Sequence, residues 1–161
     1  MRIHHNVKGG PAVEYVTVVL GGQLFGLPIS RVQDVFIPER LTRVPLAPPE
    51  IAGVLNLRGR IVTAIDMGCR LDLPGRDRKR PPMAVGIECK GESYGLLIDA
   101  VGEVIKLDDA ASEPNPVNLD ARLARISAGI HRLEGQLLVI LDVDRVLDIG
   151  HEAIAPRAAA A

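Results

Sequence analysis

An all-β fold, built twice over as two small barrels packed side by side, is what this sequence predicts. Three observations carry that expectation. Apolar runs are brief and rich in β-branched residues, as in Val16-Thr17-Val18-Val19-Leu20, which suits a strand better than a helix. Glycine-containing turns punctuate these runs about every ten residues, the spacing of small barrels or sandwiches. The same order of motifs also occurs twice, and an internal repeat is the strongest organising signal a chain can carry.

The first motif occupies residues 22–35 (GQLFGLPISRVQDV) and returns at 91–104 (GESYGLLIDAVGEV). Gly22/Gly91, Gly26/Gly95, Leu27/Leu96, Ile29/Ile98, Val32/Val101 and Val35/Val104 are identical, and Phe25/Tyr94 and Asp34/Glu103 are close substitutes. The second motif runs over 53–71 (GVLNLRGRIVTAIDMGCRL) and returns at 129–147 (GIHRLEGQLLVILDVDRVL), with Gly53/Gly129, Leu57/Leu133, Gly59/Gly135, Asp66/Asp142 and Leu71/Leu147 in step.

Taken in order, the strand over 16–20 turns at Gly21-Gly22 into Leu24-Phe25-Gly26-Leu27, and Lys90-Gly91 does the same between 84–89 and 94–98. Segments 29–35 and 98–104 fit either a helical turn or a strand, because their apolar residues recur at i, i+3 and i+6. Arg58-Gly59 and Glu134-Gly135 sit between apolar runs, a hairpin signal. Asp66 and Asp142 each end a strand and are placed to cap short helices over 68–71 and 143–147. A further helix is expected over 119–126, with Asn118 as N-cap. The stretch 73–82 (LPGRDRKRPP), heavy in proline and charge, is the best divider. The expected units are therefore a loose start over 1–13, a first barrel over 14–80, a second over 81–150 and a loose tail over 151–161. Each barrel alone is too small to bury enough surface, so a shared apolar interface is expected.

Composition narrows the function classes. In 161 residues, 47% are hydrophobic and 24% charged, which is ordinary for a globular chain, and the net charge of −1 steers it toward neither nucleic acid nor an anionic membrane. Aromatic residues make up 2%, with no Trp, too few for a site of stacked rings. No apolar run approaches the ~20 residues of a membrane helix, and no apolar stretch follows the start as in a signal peptide, so the expected compartment is the cytoplasm. Cys69 and Cys89 are too few for a structural zinc site and read as reduced core or near-core thiols.

Paired aspartates are the most tempting catalytic candidate. Asp66 and Asp142 occupy matched positions in a duplicated β protein, as the two carboxylates of an aspartic protease do. Such a site needs a hydroxyl residue and a glycine after each Asp. Here Asp66-Met67-Gly68 and Asp142-Val143-Asp144 lack the hydroxyl twice and the glycine once, which favours capping. The four histidines, His4, His5, His131 and His151, show no metal-ligand spacing and are expected to be solvated. Arg76-Asp77-Arg78-Lys79-Arg80 reads as a solvated inter-repeat loop. The serines have no nucleophile-elbow context, and no glycine-rich phosphate loop is present. No metal or cofactor is expected, and a binding protein without enzymatic activity or a small-molecule substrate is the better reading.

The residues also carry a family resemblance. Gly26-Leu27-Pro28-Ile29 through Val32, Asp34 and Val35 leads into the proline-rich loop Val44-Pro45-Leu46-Ala47-Pro48-Pro49. Ile51-Ala52-Gly53-Val54, Leu55-Asn56-Leu57-Arg58-Gly59-Arg60-Ile61-Val62 and Asp66 follow, and the second half matches at 95–101 and 141–142. Over roughly 14–150 this pattern resembles the CheW-like family of chemotaxis coupling proteins. The resemblance implies two five-stranded, SH3-like barrels with a few short helices. It implies an adaptor, recruited to membrane-associated receptor arrays, that binds the regulatory domain of a CheA-type histidine kinase and the hairpin tip of a chemoreceptor. By that resemblance Val32, Asp34, Asn56, Leu57 and Arg58 face the receptor, in a groove between the barrels. Leu41, Thr42, Arg43 and Val44 are carried loosely to the kinase-facing side. A related chemosensory pathway, such as type IV pilus motility, would use the same module.

Overall fold

The computed structural model describes residues 5–6, 12–73 and 81–149. In chain order the strands are β1 (His5–Asn6), β2 (Ala12–Leu20), β3 (Gln23–Pro28), β4 (Val32–Phe36), β5 (Ile51–Leu57), β6 (Arg60–Asp66), β7 (Met83–Cys89), β8 (Glu92–Ile98), β9 (Ala100–Asp108), β10 (Ser127–Leu133) and β11 (Gln136–Leu141). Single-turn helices α1 (Met67–Arg70), α2 (Ala121–Ala124) and α3 (Val143–Val146) accompany them. Residues 29–35 resolve into a 3-10 turn at Ile29–Arg31 followed by β4, whereas their repeat over 98–104 runs almost directly from β8 into β9.

The strands form two barrels, but not by halves of the chain. One sheet has the order β4-β7-β8-β6-β5 and the other β1-β9-β2-β3-β11-β10. The expected division into 14–80 and 81–150 is therefore corrected: each barrel takes a hairpin from one half of the chain and three strands from the other, with β1 added at the edge of the six-stranded sheet. The cause lies just after β3 and β8. There the chain leaves its hairpin, at Pro28–Arg31 in one half and Asp99 in the other, and crosses to the opposite sheet. Two parallel pairings then bind the halves together, β6 to β8 with Ala64 opposite Gly95, and β11 to β3 with Ile140 opposite Gly26. These registers superimpose under the sequence repeat, so the duplication holds while the barrel boundary does not.

Burial follows the same plan. The largest apolar cluster draws on both sheets, joining Phe25 and Leu27 of β3, Val139 and Leu141 of β11, Ile65 of β6, Val85 and Ile87 of β7, and Leu96 and Ile98 of β8. Intervening strand residues form a smaller cluster in each sheet, around Phe36, Val62 and Leu97 in one and around Tyr15, Ile105 and Leu138 in the other. The expected shared interface is thus the main core. On one outer edge a loop residue closes each sheet: Thr42 pairs with Val54 beside β5, and Glu113 pairs with Ile130 beside β10. Gly53 and Gly129 permit these closures. They stand at φ 155° and 137°, and a Cβ on either would press into the carbonyl of Thr42 or Glu113.

Asp66 Oδ1 accepts from the Cys69 amide at 3.1 Å and Asp142 Oδ1 from the Arg145 amide at 3.2 Å, so both caps are as expected. Arg70 of α1 donates to the Val146 and Arg145 carbonyls at the end of α3, each at 2.9 Å, docking the two helices. The third helix is shorter than expected, and Asp120, not Asn118, caps it, because its carboxylate accepts from the Arg122 amide. The loose start over 1–13 is corrected in part. His5–Asn6 pairs in parallel with Lys106 and Leu107 of β9, and β2 begins at Ala12. The basic run 76–80, His4, His151 and the tail over 151–161 lie outside the described residues. Cys69 is exposed rather than near-core, and Cys89 is half-buried with its Sγ donating to Asp144 Oδ1 at 3.5 Å.

His131 departs most from expectation. It is 2% exposed, its ring packs against Tyr15 with centroids 5.7 Å apart, and Nε2 meets no partner among the described residues. Being at an inward position of β10, it is not solvated. Burial pushes its pKa down, while Asp109, Glu113 and Asp108 pull the other way. The folded chain thus binds a proton less readily than the unfolded chain, whose histidine titrates near 6.5. Stability should therefore fall as pH drops below about 6.5, and continue to fall until the folded-state pKa is passed. His131→Phe, which keeps a ring beside Tyr15, should flatten the stability profile between about pH 7 and pH 5, as read from denaturant midpoints. A profile unchanged by the substitution would contradict this account.

Candidate partner-binding site

The most distinctive local chemistry lies at the β5–β6 hairpin. Leu57 and Arg60 close a two-residue turn of Arg58 and Gly59 at φ 51° and 85°, the left-handed pair of a type I′ turn. Asn56 Oδ1 accepts from the Gly59 amide at 2.9 Å and steadies the turn. A glycine would be at ease at the first position, and the corresponding turn residue between β2 and β3 is Gly21, at φ 58°. Arg58 instead holds a side chain in a conformation that costs L-residues about 1–2 kcal/mol. Lys90, at φ 52° before Gly91 in the β7–β8 turn, shares this conformation, so it belongs to the hairpin geometry.

The Arg58 guanidinium reaches β4, where its Nη1 donates to Asp34 Oδ2 at 2.9 Å. Asp34 lies over Gly86 of β7, and a Cβ at Gly86 would collide with the carboxylate. The Arg58 side chain is 73% exposed and that of Asp34 30%, so the pair contributes at most about 1 kcal/mol. Among the described residues Arg58 spends one donor, on Asp34, which leaves most of its fork for a partner.

Beside this pair opens a cavity of about 250 Å³. Phe36, Leu57, Val62 and Ile87 give it apolar walls, and Tyr94 closes one side. Burial holds the Tyr94 hydroxyl above its ordinary pKa, with Glu92 and Cys89 adding to the shift. Asp34, Arg58, Arg60 and Ser93 are polar residues of the lining, and Arg60 Nη1 donates to Ser93 Oγ at 3.5 Å.

Of the five residues carried to the receptor side, Asp34, Leu57 and Arg58 line this cavity. Asn56 is exposed and hydrogen-bonds within the turn, and Val32 is half-buried against the main core. The cavity's lining residues all come from strands β4 to β8 and the β5–β6 turn, so it belongs to one barrel rather than to a groove between the two. Leu41, Thr42, Arg43 and Val44 run instead along the outer edge of β5, where Thr42 exchanges two backbone hydrogen bonds with Val54 at 2.8 Å. Gln33, Arg60, Ser93 and Tyr94 were not singled out from sequence as site residues. Their only signals were the i, i+2 alternation from Asp34 to Phe36 and the cross-turn pairing of Leu57 with Arg60. The aspartic-protease alternative is not favoured, because the Asp66 and Asp142 carboxylates each bind their own helix.

These features define a small β scaffold of two interleaved SH3-like barrels, with its most distinctive surface chemistry at one hairpin. The chain belongs to the CheW-like domain family, whose sequence profile matches residues 14–150. It is similar to the chemotaxis protein CheW of Rhizobium meliloti, at 26% identity over 142 residues, covering 88% of this chain and 90% of that one. The chemotaxis protein CheW of Bacillus subtilis is 27% identical over 133 residues, covering 83% of this chain and 85% of that one. Among solved structures, the scaffolding protein TtCheW from Thermoanaerobacter tengcongensis is similar with a TM-score of 0.79 and 27% identity, over 89% of this chain and 98% of that chain.

If Arg58 is kept for what it contacts rather than for the turn, Arg58→Gly should leave stability unchanged or raise it by up to about 1 kcal/mol. Arg58→Val, β-branched in a left-handed position, should lower stability by about 1 kcal/mol or more. Denaturant midpoints for the two variants check this. A clear loss for the glycine variant would make Arg58 a requirement of the fold.

Proposed function

We propose that this chain is a non-enzymatic scaffold of bacterial chemotaxis that couples chemoreceptors to a CheA-type histidine kinase, working in the cytoplasm at membrane-associated receptor arrays. The face around Asp34, Leu57 and Arg58, flanked by Val32 and Asn56, receives the receptor's hairpin tip. Leu41, Thr42, Arg43 and Val44, on the separate outer edge of β5, face the kinase regulatory domain. Membership of the CheW-like family supports the role. The observation that most supports the receptor face is that Asp34 and Arg58, distant in sequence, pair at 2.9 Å on the rim of one apolar-walled cavity.

Coupling without chemistry asks for exposed complementary groups on a rigid frame. Arg58 supplies a planar donor fork suited to a carboxylate or to helix-end carbonyls, and the Asp34 contact limits its orientations. The test separates the internal pair from the partner contact. Arg58→Glu leaves two carboxylates facing each other, whereas the exchange Asp34→Arg with Arg58→Asp restores an ion pair in reversed order. Both should lose about tenfold or more in affinity for a receptor cytoplasmic fragment, through association rate and salt dependence if the contact stays at the rim. Both should bind the kinase regulatory domain normally. Full receptor binding by the exchanged double variant would show that the partner reads the pair and not Arg58. Unaltered binding by Arg58→Glu would remove this face from the reading.

A further inference from the structure

We propose that the cavity beside the β5–β6 hairpin is a charge-selective socket, taking one large apolar side chain from a partner helix together with a carboxylate one turn away, and that Arg60 selects that carboxylate. The inference rests on the receptor-binding reading for the helical nature of the partner. It goes beyond that reading in naming the partner's chemistry and a specificity residue.

Size comes first. At about 250 Å³ the cavity falls below the roughly 300–1,000 Å³ of typical small-molecule pockets, yet it far exceeds the space of a single water. Half-exposed Leu57, with Phe36 and Val62 behind it, gives an apolar surface that favours a hydrocarbon or aromatic side chain. Ile87 is fully buried in the main core and Val62 is 3% exposed, so they back the socket and fix its floor.

Charge comes second. Asp34 and Arg58 neutralise one another at 2.9 Å. Arg60, which also lines the cavity, meets the neutral Ser93 hydroxyl at 3.5 Å, the long limit of a hydrogen bond. Glu88 and Glu92 on the adjoining strands are exposed and lie outside the lining, and Glu88 accepts from the Gln33 amide at 2.8 Å. Among the lining residues the balance is thus one uncompensated guanidinium. An occupant carrying a carboxylate would supply the missing partner, in a geometry a guanidinium fork can grip with two donors.

Position comes third. Leu57 and Arg60 are cross-strand partners next to the turn and share one face of the hairpin. A side chain seated against Leu57 therefore brings its helical neighbour one turn away within reach of Arg60. The second barrel shows that the fold does not demand this cation. Its matching hairpin reads Leu133-Glu134-Gly135-Gln136, with Glu134 in place of Arg58 and Gln136 in place of Arg60. The positive rim is particular to one barrel, as a specificity feature would be.

The probes are two alanine-based helical peptides, one carrying leucine and glutamate one turn apart, the other leucine and lysine. Each is titrated into the isotope-labelled full chain while the backbone amide signals of Leu57, Arg60, Val62 and Ser93 are followed by NMR. The acidic peptide should shift these signals, and the basic peptide should do so more weakly by a factor of up to about five, the upper range for an exposed ion pair. Arg60→Lys should keep the preference, Arg60→Ala should abolish it and Arg60→Glu should invert it, with unfolding midpoints unchanged because Arg60 is exposed. Equal response to the two peptides, no response at these amides, or a preference untouched by Arg60→Glu would each overturn the proposal. A receptor fragment that fails to bind the parent chain would count against the receptor reading alone, since the peptides decide the socket's chemistry without it.

Discussion

Two parallel strand pairings, β3 with β11 and β6 with β8, hold everything else in place. Each joins the first half of the chain to the second, and each depends on the chain crossing between sheets after β3 and after β8. A half-chain has too little apolar surface for a core of its own. By exchanging hairpins the halves gain strand partners and one continuous cluster at the same time, with Phe25, Leu27, Ile65, Ile87, Leu96 and Val139 all in it. The two halves are tied further by Arg31 to Asp144 at 3.3 Å and by the Arg70 side chain on the end of α3.

The candidate site inherits this interleaving. Asp34 and Arg58 come from the first half of the chain, whereas Gly86, Ile87, Ser93 and Tyr94 come from the second. The Asp34 carboxylate is seated where it is because β7 offers a bare Gly86 beneath it. The site is rigid where the core backs it, at Val62 and Ile87, and open where it meets solvent, at Arg58 and Arg60. That combination suits a scaffold, which must present a fixed arrangement of groups to partners.

Much of this was legible in the sequence. Brief β-branched runs, Gly turns and the doubled motif were enough for an all-β, two-barrel fold, because strand alternation and turn chemistry are local signals. Asp66 and Asp142 read correctly as caps for the same reason. The barrel boundary was not legible. A repeat reports which segments are equivalent, and equivalent segments keep their order whether a hairpin pairs with its own half or with the other. Asp34, Leu57 and Arg58 were reached through a family pattern. Arg60 and Ser93 were not, since a polar residue near a strand start becomes informative only when the opposite strand shows what it faces. His131 was misread as solvated because a histidine in an alternating run carries no mark of which face it takes.

Two barrels held together by exchanged strands should open as one cooperative unit. Native-state amide exchange in increasing denaturant tests it most directly, comparing Val62 and Leu96 in one sheet with Val18 and Val139 in the other. The slowest amides of both sheets should converge on a single opening free energy with a single denaturant dependence, as one global unfolding unit requires. Two separate limits, one for β4 to β8 and another for β2, β3 and β9 to β11, would show barrels that open independently and would contradict it.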